Sequence, residues 1–238
     1  LKGIKKDKIG NSIGIRTANP TQGRTRLEQA VTLNFDIDAV NRDLGRDPEA
    51  LIRWALELDP RAFVSSNFRP FSAVMLHMVT RQKPDIPVVW MDSGYNTETT
   101  YRYADEVAKL LRLDLRIYLP LRSRAHREAL EGPPPPVDDP RIEAFTREVK
   151  LEPFDRAVAE LKPKVWLTGL RGSDSAHRAQ MQPVSVGDTG LIKVAPLLHW
   201  TSKELYQYLK KHDLPDNFDY YDPTKGEGSR ECGLQTTY

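Results

Sequence analysis

Cysteine is almost missing from this sequence: Cys232 stands alone among 238 residues. One thiol cannot close an internal disulfide, form a Cys-x-x-Cys redox pair or supply a four-thiolate iron–sulfur site. Such sparing use belongs to a reducing compartment, and the expected location is the cytoplasm. An excess of either charge is missing too. Lysine and arginine number 35 against 33 acids, a net charge of +2. Nucleic-acid binders carry a clear basic excess, so nucleic acid is not the expected partner. No apolar run approaches the ~18 residues that cross a bilayer. No apolar-centred leader opens the sequence, so no membrane role is expected. Internal repeats are absent, and the five histidines show no metal-ligand spacing.

What is present suits one large domain, or one domain with appended arms: 39% of residues are hydrophobic, enough for a core. Residues 1–26 stand apart, with Lys2, Lys5, Lys6, Lys8, Arg16, Arg24 and Arg26 against the single acid Asp7. They read as a basic arm, either anion-binding or simply solvated. The expected division is this arm, an α/β domain over 27–212, and a flexible C-terminal tail over 213–238 that carries Cys232.

Within the domain, short apolar runs alternate with helical patterns. Strands are expected at 62–66 (AFVSS), 87–91 (PVVWM), 115–119 (LRIYL), 165–168 (VWLT) and 191–195 (LIKVA). Helices are expected from Asp47-Pro48 to about Leu58, over 71–80, over 98–111, and from Glu152-Pro153 to Leu161. A last helix starts at Thr201, whose side chain and Glu204 make a capping box. The proline run 132–140 (GPPPPVDDP) is expected to be a stiff surface loop or lid hinge. Strands alternating with helices predict an α/β fold, a doubly wound, mostly parallel sheet of about five strands with helices on both faces.

Polar residues gather after three of these strands: Ser65-Ser66-Asn67-Phe68-Arg69, Asp92-Ser93-Gly94-Tyr95, and Gly169-Leu170-Arg171-Gly172-Ser173-Asp174-Ser175. In a doubly wound sheet these loops share the edge where ligands bind. The first leads into a helix whose free amides favour an anion, with Pro70 expected at its first position. Arg171 and Arg178 can hold a phosphate or sulfate with forked bonds. Each group has a plain alternative: serines cap turns, Asp92 can cap a helix, and arginine is usually a surface charge. Three such loops on one edge point instead to a small anionic nucleotide.

These residues resemble the phosphoadenylyl-sulfate (PAPS) reductase family over about residues 47–238. Ser65-Ser66-Asn67-Phe68 is similar to its phosphate loop. Asp92-Ser93-Gly94-Tyr95 with Glu98-Thr99 and Tyr101 is similar to its Asp-Thr-Gly-Tyr and Pro-Glu-Thr-Tyr motifs. Lys150-Leu151-Glu152-Pro153 resembles its Lys-Val-Glu-Pro, and Gly169-Leu170-Arg171, Ser175 and Arg178-Ala179 its arginine loop. Arg230-Glu231-Cys232-Gly233-Leu234 is similar to the tail that bears the family's nucleophile. The resemblance implies an adenine nucleotide alpha hydrolase-like fold. It implies reduction of 3′-phosphoadenylyl sulfate to sulfite and adenosine 3′,5′-bisphosphate, with Cys232 as nucleophile and an S-sulfocysteine intermediate. Thioredoxin or glutaredoxin would be partner and reductant, and a homodimer is the assembly considered. Ser65, Ser66, Asn67, Phe68, Asp92, Ser93, Gly94, Lys150, Gly169, Arg171, Ser175 and Arg178 would bind substrate. Iron–sulfur members of the family carry a cysteine pair where this sequence has Phe145-Thr146. The cluster-free branch is therefore implied, with no bound cofactor and no metal.

The sequence also departs from the family. Arg69 stands in place of a glycine, where its side chain could block close approach of a phosphate or add a cation for it. Gly172 stands in place of a second arginine, Asp174 of a glutamine, and Gln235 of a histidine. The tail fits a second register, in which Gly226, Ser229, Cys232 and Thr236 belong to the arm before the nucleophile. Two other functions stay open at this point: an ATP-pyrophosphatase or adenylyltransferase of the same fold, and a non-catalytic nucleotide-binding module.

Overall fold

Alternation of apolar side chains decides the layering. Along a strand, successive side chains point to opposite faces of the sheet. Val64, Val88 and Leu167 join one core; Phe63, Val89 and Trp166 join another on the opposite face. Both cores need a cover, so helices lie on both faces. The computed structural model describes residues 35–225 and Leu234, all within one compact unit, Thr32–Tyr238. The expected basic arm lies outside the described residues.

The elements run α1 (Ile37–Leu44), α2 (Pro48–Leu58), β1 (Phe63–Ser65), α3 (Ser72–Gln82), β2 (Pro87–Met91), α4 (Glu98–Leu111), β3 (Asp114–Tyr118), α5 (Arg124–Glu131), α6 (Ile142–Thr146), a π turn (Arg147–Leu151), α7 (Glu152–Leu161), β4 (Val165–Thr168), a 3-10 turn (Gly172–Asp174), α8 (Ala176–Ala179), β5 (Val184–Val186), β6 (Ile192–Val194) and α9 (Ser202–Lys211). The strands form one sheet in the order β3-β2-β1-β4-β6-β5, parallel except for β5 against β6. The chain leaves β1 in one direction to β2 and β3, then returns to place β4 on its other side. The crevice between β1 and β4 is thus the switch point where such sheets take ligands.

Six strands replace the expected five. The added one, β5, is three residues long, too short to show a period. It is held from outside by Asn41 of α1. The Asn41 side chain donates to the Val184 carbonyl at 3.0 Å and accepts from its amide at 2.8 Å, which covers the sheet edge.

Two further corrections bear on the site. Pro70 does not open α3. That helix starts at Ser72, after Phe71 at φ 65°. Its first amides are already bonded: Phe71 to Asp216 at 2.6 Å, Ser72 to the Arg69 carbonyl at 3.0 Å, and Val74 to the Phe71 carbonyl at 3.1 Å. The anion expected at this helix end is supplied by the chain itself, as the Asp216 carboxylate. Helix α7 does begin at Glu152, but it continues a π turn, closed by the Glu152 amide on the Arg147 carbonyl. Pro153 has no N–H for the Val149 carbonyl, and its ring would crowd that oxygen. The wider turn accommodates it, and π turns of this kind recur at functional sites. Lys150 lies in this one and faces the β1–β4 crevice.

Candidate functional site

The β1–β4 crevice is an open cleft of about 990 Å³, its mouth included. Ser65, Ser66, Asn67, Arg69 and Pro70 line it from the β1 loop, Thr168 to Arg171 and Arg178 from the β4 loop and α8, and Lys150 from the π turn. Trp166 forms part of the floor, and its indole N–H donates to Ser65 Oγ at 2.8 Å.

The β1 loop is strained and then pinned. Phe68 and Phe71 both have positive φ, 53° and 65°, in a loop without glycine. Such backbone costs roughly 1–3 kcal/mol per residue and persists only where the surroundings over-determine it. Ser66 Oγ accepts from the Phe68 amide at 3.1 Å, and the Phe68 ring is fully buried, edge-on to Trp90 at 4.8 Å. The remaining restraint comes from residues 214–225, which cross the loop as a strap. Asp216 takes the Phe71 amide, Asn217 Nδ2 donates to the Phe68 carbonyl at 2.9 Å, and Asn67 Nδ2 donates to the Tyr220 hydroxyl at 3.1 Å. The strap also crosses to the π turn, where Lys150 Nζ donates to Asp222 Oδ2 at 2.8 Å.

Charge in the cleft converges on one acid. Asp174, on the 3-10 turn after β4, is paired with Arg69, with Arg171 Nη2 at 2.6 Å and with Arg178 Nη1 at 3.0 Å. Burial alone would raise the Asp174 carboxyl; the arginines, Arg69 foremost, outweigh it and hold it below the usual range. Arg69 is itself lowered, first by burial and then by the neighbouring arginines, against the pull of Asp174. Asp222 is likewise lowered: burial opposes, but the Lys150 charge and the Thr224 hydroxyl and amide prevail. Asp216 is raised by burial, which its amide partners only partly offset.

Of the residues expected from the sequence, Ser65, Ser66, Asn67, Lys150, Gly169, Arg171 and Arg178 meet in the cleft. Phe68, Asp92, Ser93, Gly94 and Ser175 do not line it. Phe68 is core. Asp92 Oδ1 accepts from Gly94 N at 2.9 Å, Asn96 Nδ2 at 2.8 Å and the Tyr101 hydroxyl at 2.9 Å, so it builds its own turn. Ser93 Oγ accepts from the Tyr95 amide at 3.3 Å, and Gly94 supplies the φ of 78° that the turn needs. Ser175 caps α8 by accepting from the Arg178 amide at 3.2 Å. Phe145 and Thr146 are buried, Phe145 against Tyr95 and Thr146 bonded to the Ile142 carbonyl at 2.8 Å. Cys232 and Gln235 lie outside the described residues. Leu234 is described: it is buried, packs in the Phe63–Phe154–Trp166 cluster and lines the cleft.

Of the two roles open to Arg69 in the sequence, blocking a phosphate or adding a cation for it, the structure shows a cation in the cleft lining. Sequence reasoning missed the strap acids Asp216 and Asp222. Two of the departures from the family pattern, Arg69 and Asp174, turn out to be one ion pair. A side chain at Gly172 would meet the Leu198 carbonyl oxygen 3.1 Å from its Cβ, so a larger residue is tight there, while Arg69 brings a cation from the other loop.

Comparison with known proteins agrees with this geometry. Residues 61–222 match the family described as "Phosphoadenosine phosphosulfate reductase domain". A phosphoadenosine 5′-phosphosulfate reductase of Xanthomonas euvesicatoria is 41% identical over 182 residues, 76% of this chain and 75% of that protein. One of Xylella fastidiosa is 39% identical over 190 residues, 79% and 77% of the two chains. The crystal structure of a PAPS reductase from Candida auris, a phosphate complex, superposes with a TM-score of 0.65 at 25% identity, covering 78% of this chain and 91% of that one. An FMN adenylyltransferase of Candida glabrata shares the fold alone, at 16% identity and a TM-score of 0.52, over 79% and 61% of the two chains.

Proposed function

This chain belongs to the phosphoadenosine phosphosulfate reductase family, and from that premise we propose that it reduces 3′-phosphoadenylyl sulfate to sulfite, with Cys232 as the nucleophile. The Cys232 thiolate attacks the sulfuryl sulfur. The sulfur–oxygen bond to the 5′-phosphate breaks, and adenosine 3′,5′-bisphosphate leaves with the bonding pair. Cys232 is left as an S-sulfocysteine. A donor thiolate then attacks the Cys232 sulfur, and sulfite departs with the electron pair of the S–S bond. The donor's second thiol resolves the mixed disulfide, returning Cys232 as thiolate and the donor as disulfide. Thioredoxin or glutaredoxin has the required dithiol, because this chain holds only one cysteine. No iron–sulfur cluster enters, and a reducing, cytoplasmic setting suits the chemistry.

One observation carries the reading: Leu234, two residues after Cys232, forms part of the wall of the cleft where the cationic loops meet. Two residues of chain span at most about 7 Å. This short link in sequence to a cleft-wall residue supports Cys232 as the nucleophile in this reading. In this reading the cleft residues Ser65, Ser66, Asn67, Lys150, Gly169, Arg171 and Arg178 hold the nucleotide. Phe68, Asp92, Ser93, Gly94 and Ser175 act by shaping the loops that carry them. Residues 27–212 form the catalytic domain, 213–238 deliver the nucleophile, and 1–26 are an appended arm.

The test is intact mass. Incubation with 3′-phosphoadenylyl sulfate and no thiol donor adds one SO₃ group, mapped to Cys232, and releases an equivalent of adenosine bisphosphate. Cys232→Ser shows neither. An unmodified wild-type chain at saturating nucleotide rejects the proposal.

A further inference from the structure

Three guanidinium groups of the cleft wall, from two loops, close on a single carboxylate behind it. Arg69 comes from the loop after β1; Arg171, Arg178 and Asp174 come from the segment after β4. The four side chains are 19%, 15%, 7% and 13% exposed in that order, so little water screens the group. The 3-10 turn that presents Asp174 is fixed from behind, by the Gly172 amide on the Leu198 carbonyl at 2.8 Å. All three arginines line the cleft; Asp174 does not. We propose that Asp174 is a built-in counter-anion that brings this arginine group from +3 to +2 and so limits how tightly the cleft holds a phosphate-bearing ligand.

Donor counting and charge counting lead to different expectations, and the geometry favours charge. Each guanidinium has five N–H donors, whereas a carboxylate accepts at about four positions. Asp174 therefore leaves most of the donors of the three arginines uncommitted to itself. The Arg171 Nε–H is buried and has no hydrogen-bond partner among the described residues. What Asp174 changes for a ligand is the field. Three cations alone carry +3, and with the carboxylate the group carries +2. A phosphate monoester near neutral pH carries about −1.5 to −2. The arginine–aspartate group alone then matches one such phosphate in charge. The Asp174 carboxyl is held below the usual carboxylate range, so it stays ionised wherever the phosphate is. A site at +3 would bind the same group more tightly and release product more slowly.

The inference rests on the reading of the cleft as a site for an anionic nucleotide, and the test separates the two. The full chain is titrated by calorimetry with inorganic phosphate and with adenosine 3′,5′-bisphosphate. Asp174→Asn should bind both about tenfold or more tightly, since it removes a unit charge a few ångströms from the ligand. Arg69→Gln should bind about tenfold more weakly. The double variant restores the charge of +2 and should return to within about threefold of wild type. Asp174→Ser gives the same tightening if Asp174→Asn does not fold by circular dichroism. Equal or weaker binding by the folded Asp174 variant overturns the proposal while the nucleotide reading stands. No binding in any form, wild type included, overturns both.

Discussion

The loops after β2 and β4 read alike as sequence and do opposite work in the fold. Each leaves a parallel strand of the same sheet, each carries an acid, a serine and a glycine, and each leads to a helix. In the β2 loop, Asp92 takes its bonds from Gly94, Asn96 and Tyr101, all within nine residues. All three bonds fall on Oδ1 from within its own loop and the start of α4, and the result is a turn that does not line the β1–β4 cleft. In the β4 loop, Asp174 draws Arg69 from 105 residues away together with Arg171 and Arg178. Its acceptors are consumed between loops, and the result is a wall of cations. A polar loop becomes a site when its partners lie on other elements; when they lie within it, it is only a turn.

Substitution can break that comparison at its strongest point. Arg171→Ala removes charge-assisted bonds in the β4 wall, each worth about 1.5–3 kcal/mol. Affinity for adenosine 3′,5′-bisphosphate should fall by about 30-fold in calorimetry. Asp92→Ala strands the amide of Gly94 and the side chains of Asn96 and Tyr101. Stability should fall by about 2 kcal/mol in urea melts, with affinity unchanged within about threefold. A folded Asp92→Ala that loses as much affinity as Arg171→Ala would erase the distinction.

The strap gives a smaller effect with a defined pH sign. Asp222 and Asp174 are both held below the ordinary carboxylate range. A depressed carboxyl contributes stability above its unfolded value, near pH 4, and loses it as pH falls through the folded value. Between pH 8 and pH 5 these pairs should leave the melting temperature level, and the loss should begin only below about pH 4. Asp222→Asn leaves Lys150 without its anion and should cost about 1–2 kcal/mol at pH 7, while flattening the acid limb measured by thermal melts.

Legibility in the sequence follows the same division between local and distant partners. Pro87–Met91, Glu98–Leu111, Val165–Thr168 and the Thr201–Glu204 capping box stand on the expected residues. Each is decided by side chains a few positions apart. The three-residue strand β5 was hidden, because Asn41, 143 residues away, holds it in place. The start of α3 was misplaced because Asp216, 145 residues away, takes the Phe71 amide and lets that residue adopt a left-handed turn. Arg69 read as an odd residue in a phosphate loop, and Asp174 as an odd residue in an arginine loop. Only their pairing explains either one. The cleft residues that could be foreseen, Ser65, Lys150 and Arg171 among them, carry their chemistry in their type; the strap acids act through position, which no short pattern records.

The finest form of the comparison uses one cap from each loop. Thr97 caps α4, accepting from the Thr100 amide at 3.3 Å, and Ser175 caps α8, accepting from the Arg178 amide at 3.2 Å. Replacing an N-cap with alanine costs about 1 kcal/mol wherever it stands. The two helices differ in what they carry. Helix α4 follows the self-satisfied β2 loop, so Thr97→Ala should lower the melting temperature and leave nucleotide affinity unchanged. Helix α8 is four residues long and holds Arg178 against Asp174. Loosening its first turn moves a guanidinium of the anion site, so Ser175→Ala should weaken adenosine bisphosphate by about two- to threefold beside a similar melting shift. Equal affinity for the two variants would mean that Arg178 is held by its ion pair alone and that its cap belongs, like that of α4, to folding rather than to binding.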